Sequence, residues 1–187
     1  MVWSGKMKTC VFFGHRDFNY IKYKEKLAQI LLNLIEKEGV TQFYNGGRGA
    51  FDLLCAEEVA ILRKRFPRIK NTLVISYMPP ANEKIPLPTI YTDSVYLLEK
   101  QVPPRYALSR TNRCMVDKAD CLIVGIVKEW GGAWTAVEYA QKQGKRIINI
   151  CTLWKKKTKI EGVGVRFFPF IKEKLSVRAC KIFLPVV

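Results

Sequence analysis

The chain predicts an α/β fold, a Rossmann-like, doubly wound parallel sheet in three α/β/α layers. Two observations carry this reading. Short apolar, β-prone runs alternate with amphipathic runs of helical period between residues 9 and 150, the pattern of βαβ units whose helices cover both faces of a sheet. Two glycine-rich turns, Gly46-Gly47-Arg48-Gly49 and Gly131-Gly132-Ala133-Trp134-Thr135, each stand between a strand-like and a helix-like run.

The elements follow in order. Thr9–Phe13 is a short apolar run that stops at Gly14 and reads as the first strand. A polar turn, Gly14-His15-Arg16-Asp17, leads to a helix with Leu27, Ile30, Leu31, Leu34 and Ile35 on one stripe and Gly39 at its end. Val40–Asn45 is the second strand, and the first glycine turn opens a helix over 52–65, ended by Pro67. Asn71–Met78 is the third strand. Pro79, Pro80, Pro86 and Pro88 then mark a long irregular connection, with a short element at Ser94–Leu98. A helix over 105–118, a fourth strand at Cys121–Ile126, a helix from the second glycine turn to Gln143 and a fifth strand at Arg146–Ile150 complete the series. Residues 1–151 form one domain. Residues 152–187 are a basic, apolar-rich extension that packs on it or extends it.

At 187 residues the chain suits one well-buried core. It lacks a window of eighteen uninterrupted apolar residues and a secretory-type start, so the expectation is a cytoplasmic protein without a membrane partner. Six scattered cysteines, with no C-x-x-C pair and a single histidine, read as reduced structural thiols rather than metal ligands. The net charge is +16, and residues 152–187 carry nine Lys/Arg against two Asp/Glu. A basic surface attracts polyanions, including nucleic acid, but no nucleic-acid-binding motif accompanies it.

Glycine at a strand-to-helix turn lets backbone amides approach an anion, and the positive end of the following helix favours negative charge there. In doubly wound sheets ligands bind beyond the carboxyl ends of the strands, where the strand order reverses. The turns at Gly14, Gly46 and Gly131 all follow strands and should meet on that edge. They predict a ligand that carries phosphate, a nucleotide or a derivative, with no cofactor required. The candidate ligand-binding residues are Gly14, His15, Arg16, Gly46, Gly47, Arg48, Gly49, Asp52, Asn112, Gly131, Gly132, Trp134 and Thr135. Arg16 and Arg48 offer guanidinium forks that match phosphate geometry. His15 is either a ligand contact or a turn residue bonded to backbone. Asp52 reads first as the helix N-cap, with a ribose hydroxyl contact as the alternative. Tyr91, Tyr96, Tyr106 and Trp154 read as packing residues.

Gly14-His15-Arg16, the Gly46–Asp52 turn, Arg113 ahead of Asp117-Lys118-Ala119-Asp120, and Gly131-Gly132-x-x-Thr135 together resemble the SLOG superfamily. That superfamily is named for the DNA-processing protein DprA and the LOG phosphoribohydrolases. The closer resemblance is to its YpsA-like branch of unknown function, over roughly residues 8–151. It implies a Rossmann-like domain that binds nucleotides or their derivatives as sensor or carrier. By the same resemblance, the chain keeps the glycines, threonine and glutamate of the LOG P-G-G-x-G-T-x-x-E motif as Gly131, Gly132, Thr135 and Glu138. Trp130 stands for the proline and Trp134 for the third glycine, which argues against close backbone approach there and offers an indole to stack on a base. Carried over, Glu138 and Arg113 would be the catalytic pair of a nucleoside 5′-monophosphate N-glycosidase, a carboxylate facing an oxocarbenium-like sugar. The plainer readings are a solvent-facing helix residue for Glu138 and a salt bridge to Asp117 for Arg113. Single-stranded nucleic-acid binding is the third reading, and relatives that assemble suggest a homo-oligomer. On this basis Gly47→Val and Gly132→Val are both expected to abolish ligand binding in a folded domain.

Overall fold

The structure is a computed structural model that describes residues 7–78, 86–99 and 102–151. The extension 152–187, with Trp154 and Cys180, and Pro79 and Pro80 of the proline-rich connection lie outside the described residues.

Eleven elements are described: β1 (Lys8–Gly14), a 3-10 turn (Ile21–Tyr23), α1 (Lys24–Glu36), β2 (Val40–Asn45), α2 (Ala50–Arg63), β3 (Lys70–Ile75), β4 (Asp93–Tyr96), α3 (Pro104–Lys118), β5 (Cys121–Gly125), α4 (Gly132–Lys142) and β6 (Arg146–Asn149). The six strands form one sheet in the order β4-β3-β2-β1-β5-β6, parallel at every pairing. The chain runs outward from β1 to β4, then returns to start β5 on the other side of β1. The switch point therefore lies between β1 and β5. The expected doubly wound α/β fold is what the chain adopts, with one strand more than five. The short element near Ser94 is β4, which pairs with β3 from Thr72↔Asp93 to Ile75↔Tyr96.

Strand alternation divides the core into two. Cys10 and Phe12 of β1 and Cys121 and Ile123 of β5 face one side, where Leu27, Leu31 and Leu34 of α1 and Phe51, Cys55 and Val59 of α2 cover them. Val11, Phe13, Leu122 and Val124 face the other side, against Met115 and Val116 of α3 and Ala136, Val137 and Ala140 of α4. Each fully buried Leu, Val or Phe contributes roughly 1.5–3 kcal/mol of transfer free energy, so both helical layers are held by apolar burial. Cys10, Cys55, Cys121 and Cys151 are buried free thiols and Cys114 is partly exposed, in keeping with small apolar residues.

Gly14 and Gly125 are register partners at the carboxyl ends of β1 and β5. A Cβ on Gly14 would lie 2.3 Å from Phe51 Cγ, and one on Gly125 would lie 2.6 Å from Tyr20 Cε1. The two rings occupy the space that side chains would fill, with centroids 4.8 Å apart. Tyr20 adds a polar tie: the His15 amide donates to its hydroxyl oxygen at 2.9 Å, and that hydroxyl donates to the Gly125 carbonyl at 2.7 Å. The turn after β1 is thereby fastened to the end of β5, beside the switch point.

Candidate functional site

A cleft of about 250 Å³ opens at the carboxyl edge of the sheet over the switch point. It is lined by Gly14, His15, Arg16 and Asp17 after β1, by Gly46, Arg48 and Asp52 around the start of α2, by Thr111 and Asn112 of α3, and by Lys128 and Trp130–Ala133 before and within α4. The three turns that follow β1, β2 and β5 thus meet at one place.

The two glycine turns differ in chemistry. In the first, the protein supplies its own acceptors. Asp52 Oδ2 accepts the Arg48 amide at 2.7 Å, Asn45 Oδ1 accepts the Gly47 amide at 2.8 Å, and the Arg16 carbonyl accepts the Ala50 amide at 3.3 Å. Asn45 also donates from Nδ2 to the Asp52 carbonyl at 2.6 Å. The amides of Gly47 and Arg48 are therefore spent inside the loop, and that of Ala50 on the turn after β1. Asp52 is not the N-cap that the sequence suggested. Gly49 caps α2, at φ 148°, and α2 begins at Ala50, so Asp52 is the third helical residue and reaches back to the Arg48 amide ahead of the cap. Burial pushes its carboxyl up to about 6, although the Arg48 amide and the Arg16 and Arg48 guanidinium groups pull it down.

Gly47, at φ 64°, presses toward β3, where a Cβ would meet Leu73 Cδ1 at 2.6 Å. Gly47→Val therefore strains a left-handed backbone and has to push the tip of Leu73 aside. Gly49 is required for the same kind of reason, because a Cβ there would meet Arg16 Cα at 2.8 Å. Neither Gly47 nor Gly49 lines the cleft.

The second turn is open. Gly131 has φ 91°, and a Cβ on Gly131 or Gly132 would meet nothing within 4 Å. No side chain caps the start of α4, and its first turn holds no acidic residue. The amides at a helix start have no intrahelical partner and favour an anion. Thr135 does not reach the cleft; its hydroxyl donates to the Gly131 carbonyl at 3.2 Å. Trp134, in the first turn of α4, is partly buried against the core and is not among the residues that line the cleft.

His15 is buried, at 7% exposure. Its Nε2 lies 3.1 Å from the Lys128 carbonyl. Burial lowers its pKa, the Lys128 carbonyl opposes this, and the Lys128 ammonium adds to it. The neutral ring then donates from Nε2 to that carbonyl and keeps Nδ1 as an acceptor. His15 thus bonds backbone, at the Lys128 carbonyl, and also lines the cleft. Arg48 packs over the Tyr77 ring, 5.3 Å from its centroid.

Arg113 and Glu138 are not among the residues that line the cleft. Both are exposed on the outer surface of α3 and α4. The Arg113 guanidinium lies 5.6 Å from the centre of the Tyr139 ring, and Tyr139 donates to Asp117 Oδ1 at 2.8 Å. Arg113 therefore reaches Asp117 through a tyrosine rather than by direct pairing.

Thr111, Lys128 and Trp130 line the cleft but were not among the candidate ligand-binding residues. Thr111 sits on the buried stripe of α3 between Ala107 and Met115, is 1% exposed, and its hydroxyl has no hydrogen-bond partner. A buried unsatisfied hydroxyl costs about 1–3 kcal/mol unless a partner arrives. Lys128 and Trp130 stand at the rim, and the Lys128 ammonium lies 3.6 Å from the indole centre. Trp130 is 63% exposed. The signals were there: a threonine at an apolar i, i+4, i+8 position, and a tryptophan beside a glycine pair. Among the described residues no group of three or more His, Cys, Asp or Glu side chains is placed to hold a metal ion. None of the described helices is long and apolar enough to cross a membrane.

No family model matches the chain, and no curated protein matches it in sequence. Solved structures do. The molybdenum cofactor binding protein of the phototrophic bacterium Rippkaea orientalis superposes with a TM-score of 0.52 at 18% identity, over 78% of this chain and 77% of that one. The DNA processing protein A of Helicobacter pylori, described as binding single-stranded DNA, superposes with a TM-score of 0.51 at 16% identity, over 76% of this chain and 64% of that one. Its Streptococcus pneumoniae counterpart gives the same score and identity over 76% of this chain and 50% of that one. The chain thus spans about half to two thirds of the length of these DNA-processing proteins. At these identities the likeness shows a shared fold, the Rossmann-like parallel α/β sheet. These neighbours do not single out the YpsA-like branch.

Proposed function

We propose that this chain binds a nucleotide or nucleotide-derived small molecule in the cleft, as a sensor or carrier without turnover. The observation that carries the reading is an uncapped helix start, at Gly131 and Gly132, in a recess at the switch point that Arg16, Arg48 and Lys128 also line. An anion on the α4 start gains from the helix dipole and the open amides, and Arg16, Arg48 and Lys128 add positive charge around it. The first glycine turn serves as a wall, because Asp52 already sits where an external anion would compete for its amides. At about 250 Å³ the recess falls slightly below the roughly 300–1,000 Å³ of drug-sized sites, which suits part of a mononucleotide with the rest on the rim. The placement of Glu138 and Arg113 outside the lining favours binding over glycosidic hydrolysis. The fold neighbours support a binding role in general terms, one described as a binder of the molybdenum cofactor and another of single-stranded DNA.

A thermal-shift screen tests this. A ligand at a hundred times its Kd adds about 2.7 kcal/mol and should raise Tm by roughly 5–10 °C for a domain of this size. The panel contains nucleoside monophosphates, NAD, ADP-ribose, cyclic nucleotides and a short oligonucleotide at fixed salt. A clear shift with one small nucleotide is the expected result. A salt-sensitive shift with the oligonucleotide alone would replace this reading with single-stranded nucleic-acid binding. That second reading is favoured by three cation–aromatic pairs near the carboxyl edge, Arg48–Tyr77, Arg105–Tyr106 and Lys128–Trp130, since aromatics among positive charge suit unstacked bases.

A further inference from the structure

We propose that the Trp130 indole is the platform on which the planar ring of the ligand stacks, and that Lys128 is a placeholder which the ring displaces. The inference rests on the nucleotide reading above and adds which residue recognises the base. Trp130 lines the cleft yet is 63% exposed. A large apolar ring left open at the lip of a recess is the informative kind of exposure.

Its position is braced rather than loose. The Lys128 carbonyl, two residues earlier, is 3.1 Å from His15 Nε2, and the His15 amide is held by Tyr20. The segment that presents the indole is thus tied to the turn after β1, and the His15 and Trp130 ring centres lie 6.5 Å apart. On the other side Trp130 is followed directly by Gly131 and the open start of α4. A ring on Trp130 and a phosphate on that helix start would belong to the same small ligand.

Magnitudes decide the competition for the indole. An exposed cation–π contact such as that of Lys128 shifts an equilibrium by roughly two- to fivefold. A base stacked on an aromatic side chain is worth roughly 5- to 150-fold. The base therefore displaces the ammonium, and the lysine's long flexible stem lets the charge turn toward the phosphate.

Affinities of the four ribonucleoside monophosphates and of ribose 5-phosphate, by titration calorimetry on the full chain, test this. The wild type should bind at least one monophosphate more tightly than ribose 5-phosphate. In Trp130→Ala the monophosphate should weaken roughly 5- to 150-fold while ribose 5-phosphate changes less than about twofold, and Trp130→Phe should restore most of the difference. Trp130 is a rim residue, and an unchanged Tm will confirm that the variants fold. Monophosphate affinity unchanged in Trp130→Ala, or both probes weakened equally, would overturn the stacking role and leave the nucleotide reading standing. A wild type that binds none of the five probes would sink the nucleotide reading and this inference with it.

Discussion

Asp52 shows how one side chain can close a site that its loop advertises. Its carboxylate accepts the Arg48 amide and lines the cleft, and burial raises its pKa from 3.8 to about 6. A carboxyl with a raised folded-state pKa holds its proton more tightly folded than unfolded. Its contribution to stability is complete below the unfolded value and is lost as pH rises through about 6. From this group alone, stability should fall by on the order of 2–3 kcal/mol between about pH 4 and pH 7. Asp52→Asn keeps an acceptor for the Arg48 amide without the charge, so its profile should lack that decline. Denaturant unfolding across this range reads the difference, and parallel profiles would show that the carboxylate is well solvated.

At the scale of elements, the two glycine turns that look alike in sequence do different work. Gly14→Ala would place a Cβ 2.3 Å from Phe51 Cγ, and forcing α2 off β1 should cost about 1–3 kcal/mol or more. Gly132→Ala meets nothing within 4 Å and stands inside the first turn of α4. It should leave stability unchanged or raise it by up to about 1 kcal/mol through the unfolded chain, while weakening nucleotide binding at least tenfold. Thermal melts and a titration of both variants separate these outcomes. If Gly132→Ala bound normally, the α4 start would not be the anion site.

This contrast also explains what was legible in the sequence. The helical stripe of Leu27, Leu31 and Leu34 and the alternation through Cys10–Phe13 and Cys121–Val124 come straight from periodicity, so element order and fold class could be read. The position of Gly14, His15, Arg16, Gly46, Arg48, Asn112, Gly131 and Gly132 on one cleft followed from that topology. Periodicity cannot say whether the amides of a glycine loop are already bonded, because that depends on Asn45 and Asp52 closing the loop in three dimensions. β4 was hard to see because its four residues are only partly covered, and an edge strand has a weak apolar pattern. Arg113 and Glu138 stood at the right distances along the chain, but helix phase turns them outward.

For the whole molecule, the net charge of +16 sets how salt acts on binding. A mononucleotide neutralises one or two charges in the recess and loses counterions only locally. Its affinity should fall by less than about tenfold between 0.05 and 0.5 M salt, whereas a ligand held along a phosphate backbone loses orders of magnitude over a smaller range. Calorimetry at three salt concentrations measures this slope, and a steep one with a mononucleotide would point to an extended basic surface as the true binding face.

The facing glycines at the ends of β1 and β5 have a consequence for how a ligand gets in and out. Phe51 and Tyr20 fill the space over both strand ends from the α1 and α2 side, and Tyr20 bolts the two ends together, so that wall of the recess has no slack. The opposite wall meets the sheet through Ala107, Met115 and Val116 of α3 and Ala136, Val137 and Ala140 of α4. A ligand that enters beside the exposed Trp130 therefore meets the Phe51–Tyr20 side as a fixed jaw.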